Sequence, residues 1–210
     1  MGDGYSLQVG RHKAIVISDT SNWFFQNWSL AHELGHMAKG SVEGIDQPDR
    51  DVSGREKAAN SFAGELLLPA DWLRTFNWQA MNGAELAELV WASGASTKSL
   101  ATRLRVLGIQ PSADVTALLA ESTQKLLRAH ARWRRDGVDH ITMRMQAAST
   151  RAFPTRLVTA HREKVASGAL PPLTLAWMLG DDADSLREEL APAPTSDVDE
   201  LERLLSHGAQ

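Results

Sequence analysis

An α+β fold, predominantly helical with a small sheet, follows from three features of the sequence. One short β-branched run, KAIVIS at residues 13–18, reads as a strand. Apolar residues recur at helical spacing through most of the remaining chain. Stretches rich in Gly, Pro and Asp cut that pattern into short lengths.

Taken in order, YSLQV at residues 5–9 is able to pair with the 13–18 strand through the Gly10 region, and DTSN at 19–22 closes the strand with a turn. Helices are expected over residues 27–38, 56–68, 84–92, 97–107, 114–135, 155–167, 173–179 and 197–205. Between the first two lies the Gly/Asp-rich stretch 40–54, which reads as an exposed loop. GIQPSAD at 108–114 reads as a hinge, which gives domains of 1–110 and 111–210, and APAPTSD at 191–197 reads as a spacer.

Composition narrows the function. The 210 residues are 43% hydrophobic and 23% charged, as in an ordinary globular chain. A net charge of -4 argues against a generally basic nucleic-acid binder. There are no cysteines, so disulfides, thiolate metal sites and a cysteine nucleophile are excluded. Any metal must be held by His, Asp or Glu. No apolar run near 18 residues is present and no secretory signal is visible, so no membrane association is expected and the cytoplasm is the expected compartment.

The stretch that carries chemistry is AHELGH at residues 31–36. His32 and His36, four apart on a helix, share one face and can aim both imidazoles at one point. Glu33 is rotated about 100° from His32. It is therefore placed to take a proton from a metal-bound water rather than to join the same ligand set. This is the logic of H-E-x-x-H: two ligands and one general base. Leu30, Leu34 and Met37 form an apolar stripe expected to anchor the helix, Gly35 leaves room for close packing, and Ser29 is a candidate N-cap. The same spacing also occurs on ordinary helix faces, so the motif needs a context.

A catalytic zinc site requires a third protein ligand. The loop offers Glu43, Asp46, Asp49 and Asp51, and the next helix offers Glu56 and Glu65. Glu56 is preferred, because a returning helix would bring its first turn beside the metal helix and hold a carboxylate rigidly. A capping role remains open for it, since Ser53 and Glu56 form S-x-x-E.

KAIVIS, then WSLAHELGH, then EKAANSFAGELLLP closely resembles the ImmA/IrrE metallopeptidases over roughly residues 4–108. The second signature consists of Glu56, Ala59, Asn60, Phe62, Ala63, Leu66 to Leu68 and Pro69. The resemblance implies a zincin-like core with Zn2+ on His32, His36 and Glu56, and Glu33 as catalytic base. It further implies a zinc-dependent endopeptidase whose protein substrate is an XRE-type helix-turn-helix repressor, so that cleavage regulates stress or mobile-element genes. Members commonly carry a helix and more strand before the metal helix. Here 31 residues precede His32, so either the chain starts late or its substrate-lining sheet is minimal. Tyr5, His12, His140 and His161 are candidates for stabilising the oxyanion.

Two features fall outside that unit's chemistry. Residues 84–108 form a helix-turn-helix-like pair with Leu86, Leu89, Val90, Leu100, Leu104 and Leu107 as its shared core. Lys98, Arg103 and Arg105 on its second helix are able to meet phosphate, but packing is the expected role and direct DNA binding is not expected. The remainder is expected to form a C-terminal helical bundle. In it Arg128, Arg132, Arg134 and Arg135 surround Trp133 at a helix C-terminus, Asp181 to Asp184 cap a helix, and Trp177, Met178 and Leu179 lie in the core. The alternatives to a peptidase are a non-catalytic regulator binding DNA or a partner protein, and the toxin of a toxin–antitoxin pair.

Overall fold

A computed structural model describes residues 4–38, 52–130, 134–135 and 138–190. The loop carboxylates Glu43, Asp46, Asp49 and Asp51, together with Arg132, Trp133 and the helix expected at 197–205, lie outside the described residues.

The chain opens with an antiparallel hairpin of β1 (Gly4–Val9) and β2 (His12–Ile17), in register from Gly4↔Ile17 to Val9↔His12. Gly10 turns it with φ +58, a conformation that a side chain disfavours. Seven helices follow: α1 (Trp23–Ala38), α2 (Val52–Leu67), α3 (Ala70–Arg74), α4 (Gly83–Ser93), α5 (Thr97–Val106), α6 (Ala113–Ala120) and α7 (Thr123–Ala129). A two-residue ladder of β3 (Arg134–Arg135) and β4 (Val138–Asp139) then leads into α8 (His140–Ala148). After it come α9 (Thr155–Ala166), α10 (Leu173–Leu179) and α11 (Ala183–Leu190). The fold is α+β and mostly helical, as the sequence predicts. None of the described helices is long and apolar enough to cross a membrane.

Several boundaries differ from the expectation. α1 starts four residues earlier, because Asn22 Oδ1 accepts from the Phe25 amide at 3.2 Å and so caps the helix. Ser29 is a buried mid-helix residue instead. The helix expected over 114–135 is broken. Glu121 is extended, and the Ser122 side chain caps α7 by accepting from Lys125 N. With α7 ending at Ala129, Arg128 is the cation of its last turn, as a helix-terminus role requires. α8 is a helix the sequence pattern did not reveal. Asp139 starts it by accepting from the amides of Ile141 and Thr142.

The chain divides into two compact units, Met1–Thr150 and Arg151–Gln210. That division falls later than the boundary expected near residue 110. Residues 108–114 are bonded back to the preceding segment: Ser112 N donates to Trp78 O at 3.0 Å, and Gln79 Nε2 to Gln110 O at 2.8 Å. Thr97 N likewise donates to Thr123 Oγ1 at 3.1 Å.

One apolar core organises the first unit, built on Leu68, Leu73, Leu86, Val90, Leu100, Leu104, Leu126 and Leu127, all essentially inaccessible. α1 contributes Trp23 and Phe24 to it. Burying each such side chain contributes about 1.5–3 kcal/mol, so α1 is pinned by its N-terminal turn. The expected core of the α4–α5 pair is present, with Leu107 only partly buried. Gly94 joins the two helices with φ +63, and its carbonyl accepts from Asn27 Nδ2 of α1 at 3.0 Å. Arg103 does not offer itself to phosphate: its Nε donates to Leu68 O at 3.1 Å and its Nη2 pairs with Glu65. The pair is a brace between α1 and the end of α2.

In the second unit, Val165, Leu175, Ala176 and Leu186 pack α9, α10 and α11 together. Asp182 caps α11 through the amides of Asp184 and Ser185 at 3.0 Å. Of the three residues expected in this core, Met178 is buried but Trp177 is exposed, lying beneath Arg151 with a guanidinium-to-ring distance of 4.4 Å. Leu179 is partly buried against the cluster.

Hydrogen bonds from Thr142 and then the Arg128 charge hold the Asp139 carboxyl at a pKa of about 2, below its ordinary 3.8. The folded-state value is depressed, so this contribution to stability is complete above the unfolded pKa of about 4 and is lost as pH falls toward about 2. Thermal melts of Asp139→Asn are expected to decline less than wild type across that window; equal slopes would contradict the assignment.

Candidate metal centre

Two helices build the site. α1 presents His32 and His36 one turn apart, and α2 presents Glu56 from its fifth position. Because α2 begins at Val52, Ser53 lies inside the helix and the S-x-x-E capping box is not formed. The Glu56 carboxylate turns instead toward the imidazoles. Its Oε2 lies 3.2 Å from His32 Nε2 and its Oε1 3.1 Å from His36 Nε2. The two Nε2 atoms are 3.0 Å apart, and the rings meet edge to face at 78°. The histidine side chains are mostly buried at 17% and 13% exposure, whereas Glu56 is half open at 49%. One side of the cluster therefore faces solvent.

The helices approach closely where Gly35 faces α2. A Cβ on Gly35 would sit 3.1 Å from Ala59 Cα and 3.1 Å from Phe62 Cβ, tighter than ordinary contact. The packing role expected of Gly35 is thus met against backbone rather than against a flexible side chain.

Glu33 is partly buried and does not belong to the cluster. Its Cγ lies 3.4 Å from where a Gly4 Cβ would stand, beneath the first residue of β1. Leu30 and Leu34 are 49% and 40% exposed, so they do not anchor α1. The buried side of the helix is Trp23, Phe24, Ser29, Ala31 and Gly35. Leu30 stands one turn before Glu33, and Leu30 and Leu34 are open apolar surface on α1.

The other candidates scatter. Tyr5 opposes Val16 on the outer face of the hairpin, the face away from Glu33, since Gly4 points toward it and successive residues alternate. His12 is exposed in β2, His140 opens α8, and His161 belongs to the second unit. Glu65 is used by Arg103 and by Ala70 N. Among the described residues, His32, His36 and Glu56 form the one group of His, Asp and Glu side chains whose ligand atoms lie within 4.8 Å of one another.

That group suits a zinc ion. Bonds of roughly 2.0–2.1 Å to tetrahedral zinc separate neighbouring ligand atoms by about 3.3–3.4 Å. The observed 3.0–3.2 Å separations need only a small expansion. Two imidazole nitrogens and one carboxylate is a known catalytic donor set for zinc. The three ligand atoms come together with one side open, which would leave a position for a further oxygen ligand.

Sequence reasoning did not assign a role to Asn60, whose Oδ1 lies 3.2 Å from His32 Nδ1. The signal was available: Asn60 follows Glu56 by four positions, as His36 follows His32.

A family model described as the IrrE N-terminal-like domain, a peptidase family, matches residues 1–105. No curated protein and no solved structure matched the chain.

Gly35→Ala is expected to force α1 and α2 apart by a few tenths of an ångström. Overpacking of this kind costs about 1–3 kcal/mol. A lower Tm together with weaker zinc binding is expected, measured by thermal melting and chelator competition. An unchanged pair of values would show that the close approach is dispensable.

Proposed function

The chain belongs to the IrrE N-terminal-like peptidase family, and on that premise we propose that it is a zinc-dependent endopeptidase with His32, His36 and Glu56 as metal ligands and Glu33 as general base. The observation that carries the reading is the convergence of both Nε2 atoms and the Glu56 carboxylate within 3.0–3.2 Å.

A zinc ion bound there would supply Lewis acidity, polarising a peptide carbonyl and lowering the pKa of water toward about 7. The residues of the chain do the rest. His32 and His36 are fixed by α1, and Glu56 by α2, so the donor set is arranged before a substrate arrives. Glu33 stands outside that set. Its carboxylate accepts the proton of the attacking water and delivers it to the nitrogen of the departing amine as the C–N bond breaks. Gly4 leaves the Glu33 side chain room beneath β1. Leu30 and Leu34 give the approach an apolar border, which suits a flexible peptide segment with apolar residues near the scissile bond.

The proposed substrate is an XRE-type repressor, cleaved in the cytoplasm so that its target genes are released. The family resemblance supports this choice. The use of Arg103 as an internal brace argues against the α4–α5 pair reading DNA itself.

Metal analysis of the purified chain is expected to find about one zinc per molecule, in line with one three-ligand site, and His36→Ala is expected to lose it. Glu33→Gln should retain the metal while kcat for repressor cleavage falls by about 10²–10⁴. The assay is co-incubation with an XRE-type repressor, with fragments identified by mass spectrometry. Full biological activity in Glu33→Gln would sink the peptidase reading and restore a non-catalytic regulator.

A further inference from the structure

α5, α6 and the segment between them enclose a cleft of about 580 Å3 that the metal centre does not use. Its walls are Ala101 and Leu104 of α5, Ile109 and Pro111 of the connection, and Leu119 and Ala120 of α6. One charged side chain, Arg105, belongs to the lining, and no Asp or Glu does.

We propose that this cleft binds a small amphipathic carboxylate of the medium-chain fatty-acid class, with its carboxylate on Arg105 and its chain between α5 and α6. The proposal goes beyond the peptidase reading and does not depend on zinc.

The size and the chemistry agree. Ligand pockets measure about 300–1,000 Å3 and are mostly apolar, with a few polar groups that fix orientation. Arg105 is exposed, and among the described residues its guanidinium has no ion-pair or hydrogen-bond partner. Arg103, two residues earlier on the same helix, is engaged by Leu68 O and Glu65. The free guanidinium offers a planar fork of N–H groups that matches the two oxygens of a carboxylate. With no acid in the lining, an anionic head meets no repulsion there.

The backbone selects a hydrocarbon chain over a peptide. Gly108 N donates to Arg105 O at 3.2 Å and Ile109 N to Leu104 O at 2.9 Å. Gln110 O accepts from Gln79 Nε2 at 2.8 Å, and Pro111 has no N–H to give. The Thr116 hydroxyl donates to Ser112 O at 2.8 Å. A peptide laid in the cleft would bring amides that find few partners, and covering an unpaired amide costs free energy. A hydrocarbon chain asks for no partner. One cation beside apolar walls therefore matches one carboxylate on one chain.

The test uses the full-length chain with decanoate as the probe, below its micelle concentration, read by titration calorimetry and thermal melting. Decanoate should saturate a single site, and Tm should rise with its concentration, because a ligand of the folded state stabilises it. Decyltrimethylammonium, which carries the opposite charge on the same chain, should bind at least about tenfold more weakly. Arg105→Ala should weaken decanoate binding about tenfold, the size of one charge-assisted hydrogen bond. It should leave the Tm of the unliganded chain unchanged, since the side chain is exposed and unbonded. Ala120→Trp fills the cleft from an exposed position and should abolish binding without loss of fold. No saturable binding of decanoate, equal affinity for the two probes, or wild-type affinity in Arg105→Ala overturns the proposal. So does an acidic amphipathic peptide that binds through Arg105 where decanoate does not, which would make the cleft a protein-docking groove.

Discussion

The close approach of α1 to α2 at Gly35 is the constraint on which the site depends. A glutamate side chain is short, and packed helix axes usually lie about 8–10 Å apart. Glu56 bridges to both imidazoles because Gly35 and Ala59 place almost nothing between the backbones. The close approach at Gly35 lies one residue from His36, whose Nε2 is 3.1 Å from Glu56 Oε1. With the helices held at that distance, an i, i+4 pair on each meets its counterpart, and four polar side chains from the two helices come together.

What holds α1 in place comes from far along the chain. Its first turn sinks Trp23 and Phe24 into the core. Gln26 Nε2 donates to Ala148 O at 2.7 Å, across 122 residues, and Asn27 Nδ2 to Gly94 O at 3.0 Å, across 67. Arg103 ties the α5 side of the same brace to Leu68 O at the end of α2. The helix-turn-helix-like pair therefore supports the candidate site. Its turn bonds to α1 and its second helix to the end of α2, which is what a site needs if the geometry of its side chains is to be fixed in advance.

Exposure is distributed in a way that fits hydrolysis. The two imidazoles are largely covered, while Glu56 is half open and Leu30 and Leu34 lie bare beside Glu33. Apolar side chains left open on a helix surface cost solvation.

The sequence by itself determined the hairpin, the spacing of His32, Glu33 and His36, and most of the short helices, because these depend on local patterning and on turn residues a few positions away. It pointed to Glu56 through the order of two motifs. It misplaced the cap of α1, since Asn22 and Ser29 are both good caps and only burial of Trp23 and Phe24 selects the earlier start. It joined α6 to α7, although Ser122 caps α7 and Thr123 is held against Thr97. Tertiary structure alone decided that Glu56 faces the imidazoles rather than capping its helix, that Asn60 stands behind His32, and that Arg103 is spent inside the fold. Each of those outcomes is a choice between two satisfactory partners. Only the distance between packed helices, which no local pattern encodes, settles which partner is within reach.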